Sequence, residues 1–274
     1  MIVDFHTHLL RWDDYVPDMR DFIGRVNPGY LEAYGDRHPT AREFGDHFRA
    51  AGVDRVVVLA EHAPAVTGNL RSEYVAEFCA GDEALVPACC INPNVDWRPR
   101  ESFLRYVDDL GMRLLKLMPS YGFFTLGDPR LWRVYEIAEA RRVPVLIHVG
   151  SSIFPGTRQR WCNPDDLQDV AREFPGVPFV LAHAGRGWWY EQCQFLAEHE
   201  PNVYLDLTGL PPVSVLQLLP RLPRIAGKVV FGTDWPAVPK AVADNVNAIR
   251  CLGLADDARD AILGGTAARL LHLD

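Results

Sequence analysis

Eight short runs rich in Val, Ile, Leu and Phe recur along the chain, and segments of helical spacing lie between them. They read "IVDFH" (2–6), "DRVVVLA" (54–60), "ALVPACCI" (84–91), "RLLKLM" (113–118), "VPVLIHV" (143–149), "VPFVLAH" (177–183), "NVYLDL" (202–207) and "KVVFGTD" (228–234). Most are apolar along their length rather than alternating, which is how strands of a parallel sheet read when both faces are covered. The segment "LWRVYEIAEARR" (131–142) repeats apolar residues at three- and four-residue spacing, as an amphipathic helix does. "PDDLQDVAREF" (164–174) is a second helix, expected to open with Asn163 as N-cap and Pro164 in first position. Eight strand–helix units in 274 residues match the size and order of a (β/α)8 TIM barrel. The competing architecture, an open doubly wound sheet, is weakened because no G-x-G-x-x-G follows the first strand.

No linker, low-complexity tract or short-period repeat divides the chain, so residues 1–274 are expected to form a single domain. The segment 9–52 is too long for a simple connection and carries Trp12, Tyr15, Tyr30 and Tyr34. It is expected to be a loop or lid inserted over the face where the first strand ends.

The formal net charge of -8, with no basic run, argues against a nucleic-acid or anionic-membrane partner, since both require a positive face. No apolar stretch approaches the roughly 20 residues that span a bilayer. The first strand begins at Ile2 and leaves no room for a presequence, so a cytoplasmic location is expected. The six cysteines contain no C-x-x-C pair and are expected to be reduced thiols.

Chemistry in such a barrel sits at the C-terminal ends of the strands. Strand one ends in "DFHTH", with His6 and His8 two residues apart and so on one face. Taken alone, His-x-His is also what a surface strand edge produces by chance. Strand five, however, ends "LIHVG" with His148, strand six "VLAHAGRG" with His183, and strand eight "VVFGTDWP" with Asp234. Ionisable groups buried at one end of a barrel need partners, and these can partner one another around a cation. Lys116 closes strand four and is one of three lysines among 28 basic residues, an unusual choice for mere filler.

Together "DFHTH", "PVLIHVG", "LAHAGR" and "VFGTDWP" resemble, in order and strand position, the amidohydrolase superfamily. The resemblance runs the length of the chain. It is nearest the branch that contains aminocarboxymuconate-semialdehyde decarboxylase, γ-resorcylate decarboxylase and several lactonases. The closing "ILGGTAARLLHL" resembles that branch's last helix, with Thr266 where an asparagine is usual. The resemblance implies that His6, His8, His148 and Asp234 ligate one divalent metal, zinc first, with Mn2+ or Fe2+ as alternatives. It further implies that His183 lies just outside the metal and acts on the substrate. In binuclear relatives a lysine at the position of Lys116 is carboxylated and bridges two metals; here a single metal is expected, with Lys116 as an ammonium for a substrate anion. Three imidazoles and a carboxylate suit a borderline cation with a position left for water.

The expected activity is therefore metal-dependent hydrolysis of a small ester, lactone or amide through metal-activated water, with Asp234 as base and His183 on the carbonyl oxygen. The alternative is non-oxidative decarboxylation of an aromatic or enoic acid on the same metal site. A non-catalytic barrel that binds metal or ligand is the third reading. After strand five, "SSIFPGTRQRWCNP" places Arg158 and Arg160 beside Trp161, a fork and a ring suited to a carboxylate. A small, carboxylated substrate held by Arg158 or Arg160 is expected, and a homodimer is left open. Glu61 and His62 are expected to line the pocket, with support of a ligand or capping of a loop as open to them as catalysis, and Asn92 and Pro93 to form a turn. Asp206 is read as orienting a ligating histidine or as a plain hydrogen-bond acceptor. Trp188 and Trp189 would wall the pocket or cover the rim. His38, His47, His199 and His272 are expected to be solvated.

Overall fold

A computed structural model describes residues 1–273. All eight expected strands form: β1 (Val3–His8), β2 (Arg55–Leu59), β3 (Leu85–Cys90), β4 (Leu114–Leu117), β5 (Val145–Gly150), β6 (Phe179–Arg186), β7 (Val203–Asp206) and β8 (Val229–Val230). They pair in sequence order and in parallel, the signature of a (β/α)8 barrel. Alternate strand residues go to different cores. Val57 and Leu59 join Phe5, Leu114, Leu146 and Val180 inside the barrel, whereas Val56 and Val58 pack outward beneath the helices.

The seam between β8 and β1 decides where the candidate residues land. β8 is shorter than the run 228–234 predicts because a side chain replaces the ladder there. The buried Asp4 takes the Thr233 backbone N–H at 3.0 Å and its hydroxyl at 2.7 Å. Backbone bonds then resume from Asp234 N to His6 O (2.8 Å) and from His8 N to Trp235 O (2.8 Å), closing the barrel. On its other side β1 shifts register against β2 between Asp4 and Thr7. Such an irregularity re-aims side chains at a barrel rim.

The segment 9–52 is not a long loop. It holds α1 (Pro17–Val26), α2 (Pro28–Tyr34) and α3 (Ala41–Ala50). Pro17 and Pro28 each open a helix, where a missing N–H costs nothing. Thr40 and Glu43 form a reciprocal capping box at the start of α3. Only α3 is the ordinary connection to β2, whereas α1 turns Met19, Phe22 and Val26 towards the cavity described below.

The helix expected over 164–174 begins later, as Leu167–Glu173. Asn163 does not cap it. Its side chain accepts from Asp165 N at 3.1 Å and donates to Arg160 O at 2.7 Å, closing a turn before the helix. Thr266 donates to Gly227 O at 3.2 Å and so ties the last helix, Thr266–Leu271, to the turn before β8. Two histidines expected in solvent are not there: His38 bonds the Tyr74 hydroxyl, and His47 lies 4.7 Å from the Trp235 ring. His199 and His272 are exposed. No helix among the described residues is long and apolar enough to cross a membrane.

Candidate active site

A cavity of about 440 Å³ opens at the C-terminal ends of the strands. It brings together His6, His8, Lys116, His148, His183 and Asp234, all six anticipated at strand ends. One ligating atom from each of His6, His8 and Asp234 lies within 4.8 Å of the other two. Asp234 Oδ1 is 3.1 Å from His8 Nε2 and 3.5 Å from His6 Nε2. His148 stands outside this trio, and its Nδ1 is paired with His183 Nε2 at 3.2 Å.

The hydrogen-bond network assigns protons on the histidines. His183 Nδ1 lies 3.0 Å from Thr208 O, a carbonyl that can only accept, so Nδ1 carries the proton and Nε2 a lone pair. His148 must then donate from Nδ1 to that Nε2, which leaves its own Nε2 as a lone pair, buried and without a partner among the described residues. His6 is ordered in the same way: Nδ1 meets Asp206 Oδ2 at 2.7 Å, turning Nε2 towards Asp234. Asp206 is thus the hydrogen-bond partner of His6, one of the candidate ligands. Two imidazole lone pairs, one of them orphaned, and a carboxylate beside a third imidazole are the donor set of a divalent cation. The residues fit.

Electrostatics sharpen the roles. Burial holds the imidazoles of His6, His148 and His183 well below the ordinary histidine pKa, so each is neutral. Burial alone would push the Asp234 carboxyl up, but the group is held well below the usual carboxylate range, with the His8 hydrogen bond the largest opposing effect. Burial brings Lys116 down to about 8, against the pull of Asp234 and Asp206; its Nζ lies 3.4 Å from His6 Nε2. His183 and Asp234 both sit at φ 62°, a left-handed conformation that non-glycine residues rarely adopt. Strain of this kind collects where a side chain must point at a site.

Arg158 and Arg160 are not among the residues lining this cavity. Both are exposed, with Arg158 stacked over Phe123 at 4.7 Å and Arg160 over Trp161 at 4.6 Å. The guanidinium that does line it is Arg186, three residues after His183. Its Nε and Nη2 donate to Ser151 O at 3.2 and 3.0 Å, while Nη1 has no hydrogen-bond partner among the described residues. Tyr121 also lines the cavity, held by a 2.8 Å bond to Ser152 Oγ and edge-on to His148. Glu61 lines it as expected, whereas His62 turns away to Asp96 at 3.2 Å. Trp188 is exposed at the rim.

Gly232 is the glycine on which this arrangement depends. A Cβ there would run into Thr208 Oγ1 and come within 2.8 Å of His6 Cβ and 3.0 Å of Asp206 Oδ1. Gly232→Ala is expected to displace the Asp206–His6 pair, with a loss of roughly 1–3 kcal/mol typical of overpacking. Chemical denaturation and metal content would both report it; a variant as stable and metal-competent as the parent would contradict the assignment.

Comparison with known proteins places this geometry in context. The sequence model of the family described as "Amidohydrolase" matches residues 3–273. No curated protein matches. Among solved structures, an uncharacterised TIM-barrel protein from Bordetella bronchiseptica is similar with a TM-score of 0.81 at 22% identity, over 99% of this chain and 98% of that one. A 2,6-dihydroxybenzoate decarboxylase from Rhizobium gives 0.68 at 16% identity, over 100% and 99% of the two chains. An amidohydrolase from Burkholderia multivorans gives 0.70 at 17% identity, covering 100% of both.

Proposed function

The chain belongs to the amidohydrolase family, a family of enzymes, and on that premise we propose that it is a metal-dependent hydrolase of a small ester, lactone or amide. The observation that carries this reading is the trio of His6, His8 and Asp234, whose ligating atoms lie within 4.8 Å of one another beside a neutral His183. Those three residues, joined by His148 through its unpartnered Nε2, would hold one divalent ion, zinc by preference for imidazole and carboxylate donors. When bound, such an ion supplies Lewis acidity, polarising a carbonyl oxygen and making water acidic near neutral pH.

The rest falls to the chain's own side chains. Asp234, held ionised, is the proton acceptor for the attacking water and can pass that proton to the leaving group. His183, tied through Nδ1–H to Thr208 O, carries at Nε2 the lone pair that accepts from His148 Nδ1 at 3.2 Å; released from that bond, Nε2 is a second proton acceptor, and once protonated it would donate to the developing oxyanion. Met19, Phe22 and Phe154 form an apolar wall that limits water in the cavity.

Decarboxylation of a carboxylic acid is the second reading. It is favoured by the two cations, Lys116 and Arg186, in an otherwise mostly apolar cavity, and by the similarity to dihydroxybenzoate decarboxylases. On either reading the cations suit an anionic substrate, and Arg186 takes the role first sought in Arg158 and Arg160. Assaying esters, lactones, amides and hydroxybenzoates for release of acid or CO2 separates the two; a metal-loaded protein inert on the whole panel would count against both. On the best carboxylated substrate found, Arg186→Met is expected to raise KM by about tenfold or more, a charge-assisted hydrogen bond being worth about 1.5–3 kcal/mol. An unchanged KM would remove Arg186 from substrate binding.

A further inference from the structure

The two histidines of β1 are not equally supported. Behind His6 stands Asp206, in contact at 2.7 Å. His8 Nδ1 is buried and has no hydrogen-bond partner among the described residues. The carboxylate nearest to it is Glu61, whose Oε2 lies 3.7 Å away. Glu61 is itself only 3% exposed, so its carboxyl also needs partners. The Tyr15 hydroxyl lies beside it as one neighbour, and donates to Leu9 O at 3.1 Å. The backbone fixes where Glu61 stands: His8 is in register with Leu59 on β2, and Glu61 N bonds Leu70 O at 2.9 Å just beyond. A buried ring nitrogen and a buried carboxylate thus face one another across less than one extra ångström.

Proton placement explains the gap. Asp234 Oδ1 lies 3.1 Å from His8 Nε2, the contact of a ring N–H donating to a carboxylate oxygen. A histidine binds a metal only through an unprotonated nitrogen. For Nε2 to become a ligand, the ring must carry its hydrogen on Nδ1 instead, and that N–H then requires an acceptor. Closing 3.7 Å to a normal hydrogen bond asks for a shift of about 1 Å or less.

We propose that Glu61 is the positioning residue of His8, accepting its Nδ1–H and so holding Nε2 as a lone pair towards the metal. Asp206 and Glu61 then act as a matched pair of carboxylates, one behind each histidine of β1. This inference rests on the reading of the cavity as a metal site.

The test needs no substrate. Zinc affinity of the purified full chain is measured by competition with a chromophoric chelator, and the ring protonation of 15N-labelled histidines by NMR, with His8 assigned by comparison with His8→Asn. Glu61→Ala is expected to weaken zinc binding 10–100-fold, the usual effect of removing a carboxylate behind a ligating histidine. Glu61→Gln keeps an acceptor without the charge, so its loss should be smaller, and it carries the measurement if the Ala variant does not fold. In the zinc-loaded parent the His8 signal should report a hydrogen on Nδ1, and that signal should shift in Glu61→Ala. A zinc affinity within twofold of the parent in Glu61→Ala, or a His8 that keeps its hydrogen on Nε2 with zinc bound, would overturn the role of Glu61 alone. A parent chain that takes up no zinc would overturn the metal site itself, and this inference with it.

Discussion

Asp234→Asn is expected to abolish measurable turnover and to strip most of the metal, because the residue stands in both roles at once. It contributes the only carboxylate of the trio with His6 and His8, and it is the ionised base of the proposed reaction. Loss of a positioned base alone lowers rates by roughly 10²–10⁴. Loss of the ligand charge adds to that, since the imidazoles of His6 and His8 would then face a neutral amide. Asparagine is the right replacement. Asp234 sits at φ 62°, a conformation that asparagine adopts more readily than alanine, so the variant isolates the charge from backbone strain. Elemental analysis of the parent should return close to one divalent ion per chain, and of the variant much less. Two ions per parent chain, with a carbon dioxide adduct on Lys116, would replace the single-metal reading with a bridged pair. A variant that retained both metal and rate would leave Asp234 outside the chemistry.

The barrel and the position of its site were legible because both depend on short-range pattern. A continuous apolar run followed by one polar residue marks a buried strand and its emerging end, and this located His148 and His183 without any knowledge of the third dimension. His6 and His8 followed from the two-residue repeat of a strand. What could not be read depends on the path of loops. Arg158, Arg160 and Arg186 are indistinguishable as residue types, and only the turn after β5 sends the first two onto Phe123 and Trp161 while Arg186 is anchored inside by Ser151 O. The signal that was available, an arginine three residues past a strand-end histidine in "HAGR", is stronger than an Arg–Trp neighbour in a loop. α1 and α2 were missed because prolines and clustered aromatics, read as loop, in fact start and pack short helices. The shortness of β8 was hidden for a different reason: Asp4 substitutes its side chain for the ladder, an interaction between residues separated by 229 positions. The charge of Asp4 within the apolar run "IVDF" was the visible hint.

His183→Asn tests the other half of the chemistry, and the local backbone makes it a clean experiment. His183 lies at φ 62° and Ala184 at φ 47°, so β6 is interrupted before its end by a left-handed pair that most side chains would strain. Asparagine is comfortable there, and its side-chain amide can donate to Thr208 O in place of the imidazole Nδ1–H. The fold and the trio of His6, His8 and Asp234 should therefore survive, and metal content should stay near that of the parent. What disappears is the lone pair at Nε2, the group positioned to take and return a proton. The rate of the chemical step should fall by roughly 10²–10⁴ with little change in KM. His148 supplies a further check, because its Nδ1 loses its partner and the ring is freed to turn. Because that pairing holds His148 Nε2 as the free lone pair, His183→Asn should bind zinc somewhat more weakly than the parent without emptying the site. A variant that instead lost its zinc would make His183 a ligand and redraw the donor set; one that kept full activity would show that Asp234 alone moves the proton.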